Sequence, residues 1–105
     1  MSQHNRVVIT GLGAITSIGA GKDAFWESLK AGRSGISRVS KFDPSPYPTQ
    51  MAAQLNGFDF SFYIDQKWAR RMDLTSRLAV SAAKMAVADA NMDLAKEDRD
   101  RIGVV

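Results

Sequence analysis

Three cations stand close together past the middle of the chain: Lys67, Arg70 and Arg71. At spacings of three and four residues they share one face of any helix that carries them. A face of this kind steers and orients an acidic partner, or it simply meets water. Nearer the start, Gly11-Leu12-Gly13 follows the apolar run Val7-Val8-Ile9. A strand leading into paired glycines is how a dinucleotide-binding turn opens, and that chemistry needs G-x-G-x-x-G. Thr16 stands at the third glycine position. The related dehydrogenase spacing, with glycines four and six residues after the first, fails too, because Ile15 and Ser17 stand there. Asp23 and Glu27 come too early for a ribose contact, and Asp43 lies in a proline-rich stretch. The glycines are therefore expected to serve a tight strand-to-helix turn, with no cofactor.

Covalent catalysis is bounded in the same way. The chain has no cysteine, so it holds no thiol nucleophile, no Cys-ligated zinc and no disulfide framework. A serine nucleophile needs a base within hydrogen-bond reach. The single histidine, His4, sits in the polar N-terminal segment, away from Ser17, Ser34 and Ser76. No catalytic residue and no metal site is expected in this chain.

The elements that must position these groups read as α/β. Val7 to Ile9 is a continuous β-branched run, expected as a buried strand of the parallel-sheet kind. A flexible glycine loop follows, then a helix over Asp23 to Ala31, with Gly32 placed as its stop. Arg33 to Pro48, with Pro44, Pro46 and Pro48, reads as irregular. Met51 to Leu55 reads as a short strand closed by the Asn56-Gly57 turn signal. Phe58, Phe60, Phe62 and Tyr63 form an aromatic group whose expected role is packing. Gln66 to Arg71 reads as a short helix, and Asp73 caps a long one from Leu74 to about Ala90. That helix is rich in alanine, and its apolar residues fill more than one stripe, so burial on several sides is expected. Asn91 suits its left-handed end. Arg101 to Val105 opens another β-branched run, expected as a strand within which the chain stops.

A hydrophobic share of 45 % and a charged share of 24 % are ordinary for a folded domain, and 105 residues suffice for one. A net charge of +3 suits an acidic partner without calling for nucleic acid. The polar start and the shortness of Val7 to Ile9 give neither a signal segment nor a membrane span. A cytoplasmic protein is expected.

The segment Arg6-Val-Val-Ile-Thr-Gly-Leu-Gly-Ala-Ile-Thr-Ser-Ile-Gly19 resembles the opening of beta-ketoacyl-acyl-carrier-protein synthases, R-V-V-V-T-G-L-G followed by T-P-L-G. Phe25-Trp26 falls in the first helix, as in that family. Ala31-Gly-Arg-Ser-Gly-Ile36 is similar to A-G-x-S-G-I. Phe42-Asp43 and Tyr47-Pro48 fit F-D-x-x-x-Y-P, and Lys67 to Asp73 fits K-x-x-R-R-M-D. The resemblance continues through the alanine-rich helix to Arg101-Ile-Gly-Val104 and so covers essentially the whole chain. Ser17 departs from the usual proline, and Trp68 from a small polar or charged residue. Within the family the pattern resembles that of synthase II, the bacterial chain-elongating enzyme.

The resemblance implies an N-terminal part of a thiolase-like fold, layered αβαβα, with residues 1–105 a partial domain interrupted within a strand. It implies an acyltransferase of fatty acid synthesis that forms homodimers and joins an acyl-enzyme to malonyl-carrier protein by decarboxylating Claisen condensation. The catalytic cysteine and two histidines of that family are absent here, so the chain alone is expected to be inactive. The resemblance also implies that Lys67, Arg70 and Arg71 meet acyl carrier protein, although Arg71 could instead turn inward to a buried acid. No nucleic acid or membrane partner is implied. Two alternatives stay open: a fragment of a type II polyketide ketosynthase, and a non-catalytic acyl-carrier-binding module.

Overall fold

The computed structural model describes residues 4–105, so Met1 to Gln3 of the polar start lie outside it. Its first regular element lies where the sequence reads as a flexible loop. Strands β1 (Ile15–Thr16) and β2 (Gly19–Ala20) pair antiparallel around Ser17 and Ile18. The Thr16 hydroxyl closes this turn, donating to the Gly19 carbonyl at 2.8 Å and accepting from the Ile18 N–H at 3.3 Å. Helix α1 (Lys22–Lys30) follows one residue later. Its end is a Schellman motif: Gly32 N–H donates to the Leu29 carbonyl and Arg33 N–H to that of Ser28, each at 3.0 Å. Gly32 takes φ 67° there, the left-handed conformation for which a glycine stop was expected. The buried Ser28 hydroxyl donates to the Ile18 carbonyl at 2.6 Å and seats α1 on the turn.

The proline-rich stretch is less irregular than expected. Strand β3 (Ile36–Arg38) pairs antiparallel with β4 (Met51–Ala53), in the register Ile36 with Ala53 and Arg38 with Met51. The Val39 N–H extends the ladder to the Gln50 carbonyl at 2.8 Å. Prolines 44, 46 and 48 fall in the excursion between the strands, where no ladder donor is required. Beyond β4 the aromatic group packs as expected: Phe58 meets Phe60 edge-on at 4.8 Å and lies parallel to Tyr63 at 6.1 Å. Helix α2 (Gln66–Ala69) and helix α3 (Leu74–Asp89) are each capped by an aspartate. Asp73 accepts from the Ser76 N–H at 2.7 Å. The end of α3 repeats the Schellman geometry, with Asn91 at φ 50° and Met92 N–H reaching the Val87 carbonyl.

Three expectations are corrected. Val7 to Ile9 forms no strand, and the three residues are 88, 64 and 82 % exposed. Residues 102–105 likewise lie outside regular structure, after a 3-10 turn at Arg99–Arg101. A strand exists only through a neighbour that takes its N–H and C=O groups, and among the described residues nothing pairs with either run. Helix α3 is covered mainly on one side. Arg77, Leu78, Ser81, Ala82, Met85, Ala86 and Asp89 are sheltered, while on the other stripe Val87 is sheltered and Ala79, Val80 and Ala83 face outward.

Val39 and Ile64 are the buried apolar core among the described residues. The radius of gyration is 17.8 Å, against about 13 Å for a closed domain of this length. The accessible surface is 8882 Å², against about 5,800 Å². Local turns and caps are complete, whereas the layer that would cover their apolar faces is not among these residues. The isolated 105-residue chain is expected to melt without a cooperative transition and to self-associate, as calorimetry and size-exclusion chromatography over a range of concentrations would register. A sharp transition in a monodisperse monomer is the contrary result.

Candidate functional site

Asp65 opens α2, its carboxylate accepting from the Lys67 N–H at 2.8 Å. Helical turns continue past the last residue of α2. Arg70 N–H donates to the Gln66 carbonyl at 3.2 Å and Arg71 N–H to that of Trp68 at 2.9 Å. The structure thereby brings Lys67, Arg70 and Arg71 onto adjacent turns of one short segment. All three are exposed, and among the described residues none forms an ion pair. The inward alternative for Arg71 is not adopted. The nearest acids in sequence are occupied as caps: Asp65 by Lys67 N–H, and Asp73 by Ser76, whose hydrogen bonding holds the Asp73 carboxyl below its ordinary range. With both caps ionised, three cations (Lys67, Arg70, Arg71) stand against two carboxylates (Asp65, Asp73), so the segment is net positive. Two cations fix it to α3 from below: Lys84 Nζ donates to the Tyr63 carbonyl, and Arg77 Nε donates to the Met72 carbonyl at 3.1 Å.

The glycine loop has a different role from the one expected. Gly11 and Gly13 do not use left-handed φ angles; Gly21, Gly32 and Gly57 do. Instead the loop lies directly on α3. A methyl group at Gly13 would drive into the Ala82 carbonyl and come within 2.8 Å of Ala86 N. At Gly11 it would drive into the Ala86 carbonyl and come within 2.7 Å of Ala90 N. The nine residues from Gly13 to the start of α1 include the β1–β2 turn, so the glycines do not present a helix N-terminus to a phosphate. Ser17, one of the serines weighed as a nucleophile, packs against Gly35. Ser34 Oγ accepts from the Ile36 N–H at 3.2 Å, a local turn contact.

Asp89 closes the loop–helix contact. Its carboxylate accepts from the Leu12 N–H at 2.9 Å, across 77 residues of chain, and pairs with Lys22 Nζ at 2.5 Å. Lys22 first, and the Leu12 N–H second, hold the Asp89 carboxyl below its ordinary range. The hydrogen bond to Asp89 raises Lys22 in turn. Beside this lock lies an open apolar groove of about 540 Å³, lined by Leu12, Gly13, Ala14, Phe25, Trp26 and Leu29 among others.

The family description "Beta-ketoacyl synthase, N-terminal domain" matches residues 4–105. The chain belongs to the beta-ketoacyl synthase family. It is 43 % identical over 104 residues to 3-oxoacyl-[acyl-carrier-protein] synthase 2 of Staphylococcus aureus (strain COL), covering 99 % of this chain and 25 % of that protein. It is 35 % identical over 102 residues to the protein of the same name from Coxiella burnetii, covering 97 % and 25 %. The solved structure of the ishigamide ketosynthase/chain length factor superposes with a TM-score of 0.74 at 35 % identity, over 82 % of this chain and 21 % of that one. The chain thus spans about a quarter of the length of the curated relatives it matches.

For this beta-ketoacyl synthase segment, sequence reading found the cationic group but missed the Lys22–Asp89–Leu12 lock. No local pattern marks a contact between residues so far apart. The available signal was compositional, since glycines in one element and alanines in another allow two backbones to meet closely.

Gly13→Ala in the full-length protein is expected to cost about 1–3 kcal/mol or more, because the obstructing atoms are helix backbone and cannot rotate away. Thermal or denaturant unfolding measures it, and an unchanged midpoint would contradict the close approach. Asp89→Asn tests the lock by its pH dependence. The depressed Asp89 carboxyl contributes stability that is full above its ordinary value of 3.8 and is lost as pH falls through its lower folded value. The raised Lys22 contributes below 10.5 and is lost as pH rises through its higher folded value. The stability gap between wild type and Asp89→Asn should therefore hold across neutral pH and close at both extremes. A gap flat in pH down to strong acid would exclude the ion pair as its source.

Proposed function

We propose that this chain is the N-terminal part of an elongating beta-ketoacyl-acyl-carrier-protein synthase of fatty acid synthesis, and that Lys67, Arg70 and Arg71 help dock the carrier protein. One observation carries the reading: identity of 43 % runs along essentially the whole chain to a protein named for that reaction. In the proposed reaction a cysteine thiolate accepts the acyl group from its carrier thioester. Malonyl-carrier protein loses carbon dioxide, and the carbanion equivalent attacks the acyl-enzyme carbonyl and expels the cysteine. This is covalent catalysis with an oxyanion stabilised at each acyl transfer. The cysteine and the two assisting histidines belong to the remainder of the protein, since this chain has no cysteine and a single histidine in its N-terminal segment.

This segment's share is architectural and electrostatic. The glycine loop, α1 and α3 supply part of a layered thiolase-like core whose other layers come from the rest of the protein. The uncovered apolar runs at residues 7–9 and 102–105 support that reading, because each has the composition of a central strand. The exposed cations support docking, because an acidic surface approaching them is steered before contact. A homodimeric, cytoplasmic enzyme fits the family. Among the described residues no helix is long and apolar enough to cross a membrane. A second reading, a polyketide ketosynthase, is favoured by the likeness to the ishigamide ketosynthase/chain length factor. The products distinguish the two: successive unreduced keto groups belong to the second.

The test uses the full-length protein with malonyl-carrier protein and with malonyl-pantetheine as a carrier-free thioester. The double variant Lys67→Glu, Arg70→Glu is expected to lower the ratio of kcat/KM for the first over the second by about tenfold or more. The loss should shrink as salt is raised and screens the native attraction. Equal losses on both thioesters would refute docking at this face.

A further inference from the structure

Helix α2 has four residues, too few to hold itself in place by its own hydrogen bonds. Within residues 65–71 only Ala69 is half-buried in this chain, so side-chain packing adds little. What fixes the segment lies at its two ends. The Tyr63 carbonyl, two residues before Asp65, accepts from Lys84 Nζ. The Met72 carbonyl, one residue after Arg71, accepts from Arg77 Nε at 3.1 Å. Both donors come from α3. They stand seven residues apart, so they leave one face of that helix about 10 Å apart along its axis. The turns between the two carbonyls carry Lys67, Arg70 and Arg71 and no other cation. A bond from a charged donor is of the stronger kind, and here each one grips main chain, which cannot rotate away as a side chain can.

We propose that Arg77 and Lys84 are positioning residues for carrier docking: by holding the Met72 and Tyr63 carbonyls they set where Lys67, Arg70 and Arg71 stand relative to α3. This deepens the carrier-docking reading and rests on it. The chemistry divides the work. Lys67, Arg70 and Arg71 meet the acidic surface of the carrier protein and steer it. Arg77 and Lys84 spend their donors on the protein's own backbone and act on the carrier only through the segment between them. A docking surface held in its binding geometry avoids the cost of ordering that segment at each encounter. The role of Arg77 also predicts which replacements it tolerates. The amide nitrogen of a glutamine stands as many bonds from the backbone as arginine Nε, so it keeps the N–H and drops the charge. Methionine has the same reach and no donor.

The experiment measures the ratio of kcat/KM for malonyl-carrier protein over malonyl-pantetheine in the full-length enzyme. Arg77→Met combined with Lys84→Met is expected to lower that ratio by about tenfold, and either alone by about threefold. Arg77→Gln should stay near wild type, and Lys84→Arg should recover the loss of Lys84→Met. Residues that act through other residues give non-additive losses. The Met variants should therefore lower the ratio no further once Lys67→Ala and Arg70→Ala are in place. Full additivity would mean that Arg77 and Lys84 touch the carrier themselves, and it overturns the positioning role. So does an Arg77→Gln variant as impaired as Arg77→Met, since charge and not the bond would then be what matters. An unchanged ratio in the Met variants, with Lys67→Ala, Arg70→Ala impaired, overturns positioning and leaves docking standing. If Lys67→Ala, Arg70→Ala also matches wild type, the docking reading falls and positioning with it. A loss shared equally by both thioesters assigns the two bonds a purely structural role and overturns the proposal.

Discussion

The closeness of the residue 11–13 loop to α3 is the constraint from which the arrangement follows. Two backbones meet there with nothing larger than glycine on one side and alanine on the other. Dispersion is strongest at contact distance, so small residues gain by proximity what they lack in area. The approach also aligns Leu12 N–H with Asp89, and Asp89 with Lys22, so one carboxylate ties the loop, the start of α1 and the end of α3 together. Most other contacts are local, made by the two hairpins and by α1 on its own turn. Remove the close approach, and α1 and α3 lose their fixed relation. Elsewhere on α3, the Ser81 hydroxyl is buried without a partner among the described residues, although a helical serine can turn back to the carbonyl four residues earlier.

Exposure on this molecule is of two kinds, and charge separates them. Val7 to Ile9 and Val104-Val105 are apolar, uncharged and rich in β-branched side chains. Covering them gains about 25 cal/mol for each Å² removed from water and satisfies their backbone groups at the same time. The α2 segment carries three unpaired cations, so covering it permanently is unfavourable unless the covering surface is acidic. On the proposed reading, the first kind is where further layers of the fold pack, and the second is where the carrier protein docks.

Whatever depends on a few neighbouring residues was legible in the sequence. Gly32 and Asn91 ended helices as their left-handed tolerance requires, and Asp73 capped α3 through Ser76. Whatever depends on a neighbour elsewhere was not. Val7 to Ile9 has every property of a buried strand, yet strand identity is settled by the partner and not by the run itself. Arg33 to Pro48 looked irregular because its prolines dominate the composition. The ladder there uses only residues 36–39 and 50–53, which flank the prolines. Gly11 and Gly13 invited a turn explanation because glycine's freedom at positive φ is its familiar use. Their actual use, making room, shows only once α3 is in place. The cations of the candidate site were legible because helical spacing alone puts them together. Trp68, between them in sequence, stood out as a departure whose placement the sequence left open.

The outward face of α3 carries the same logic one step further. Ala79 and Ala83 are as small as the residues that receive the glycine loop, yet with Val80 they face solvent here. A solvated helix face gains little from alanine and valine and ordinarily carries charges instead. A face kept small and apolar is suited to a second close neighbour, approaching as Gly11 and Gly13 do on the adjoining stripe. Lys84, on the rim between the two faces, bends toward the Tyr63 carbonyl and leaves that approach clear. On the proposed reading, helix α3 is enclosed by further layers and the α2 segment remains outside. The bonds from Lys84 and Arg77 that join the two couple the position of the cations directly to α3.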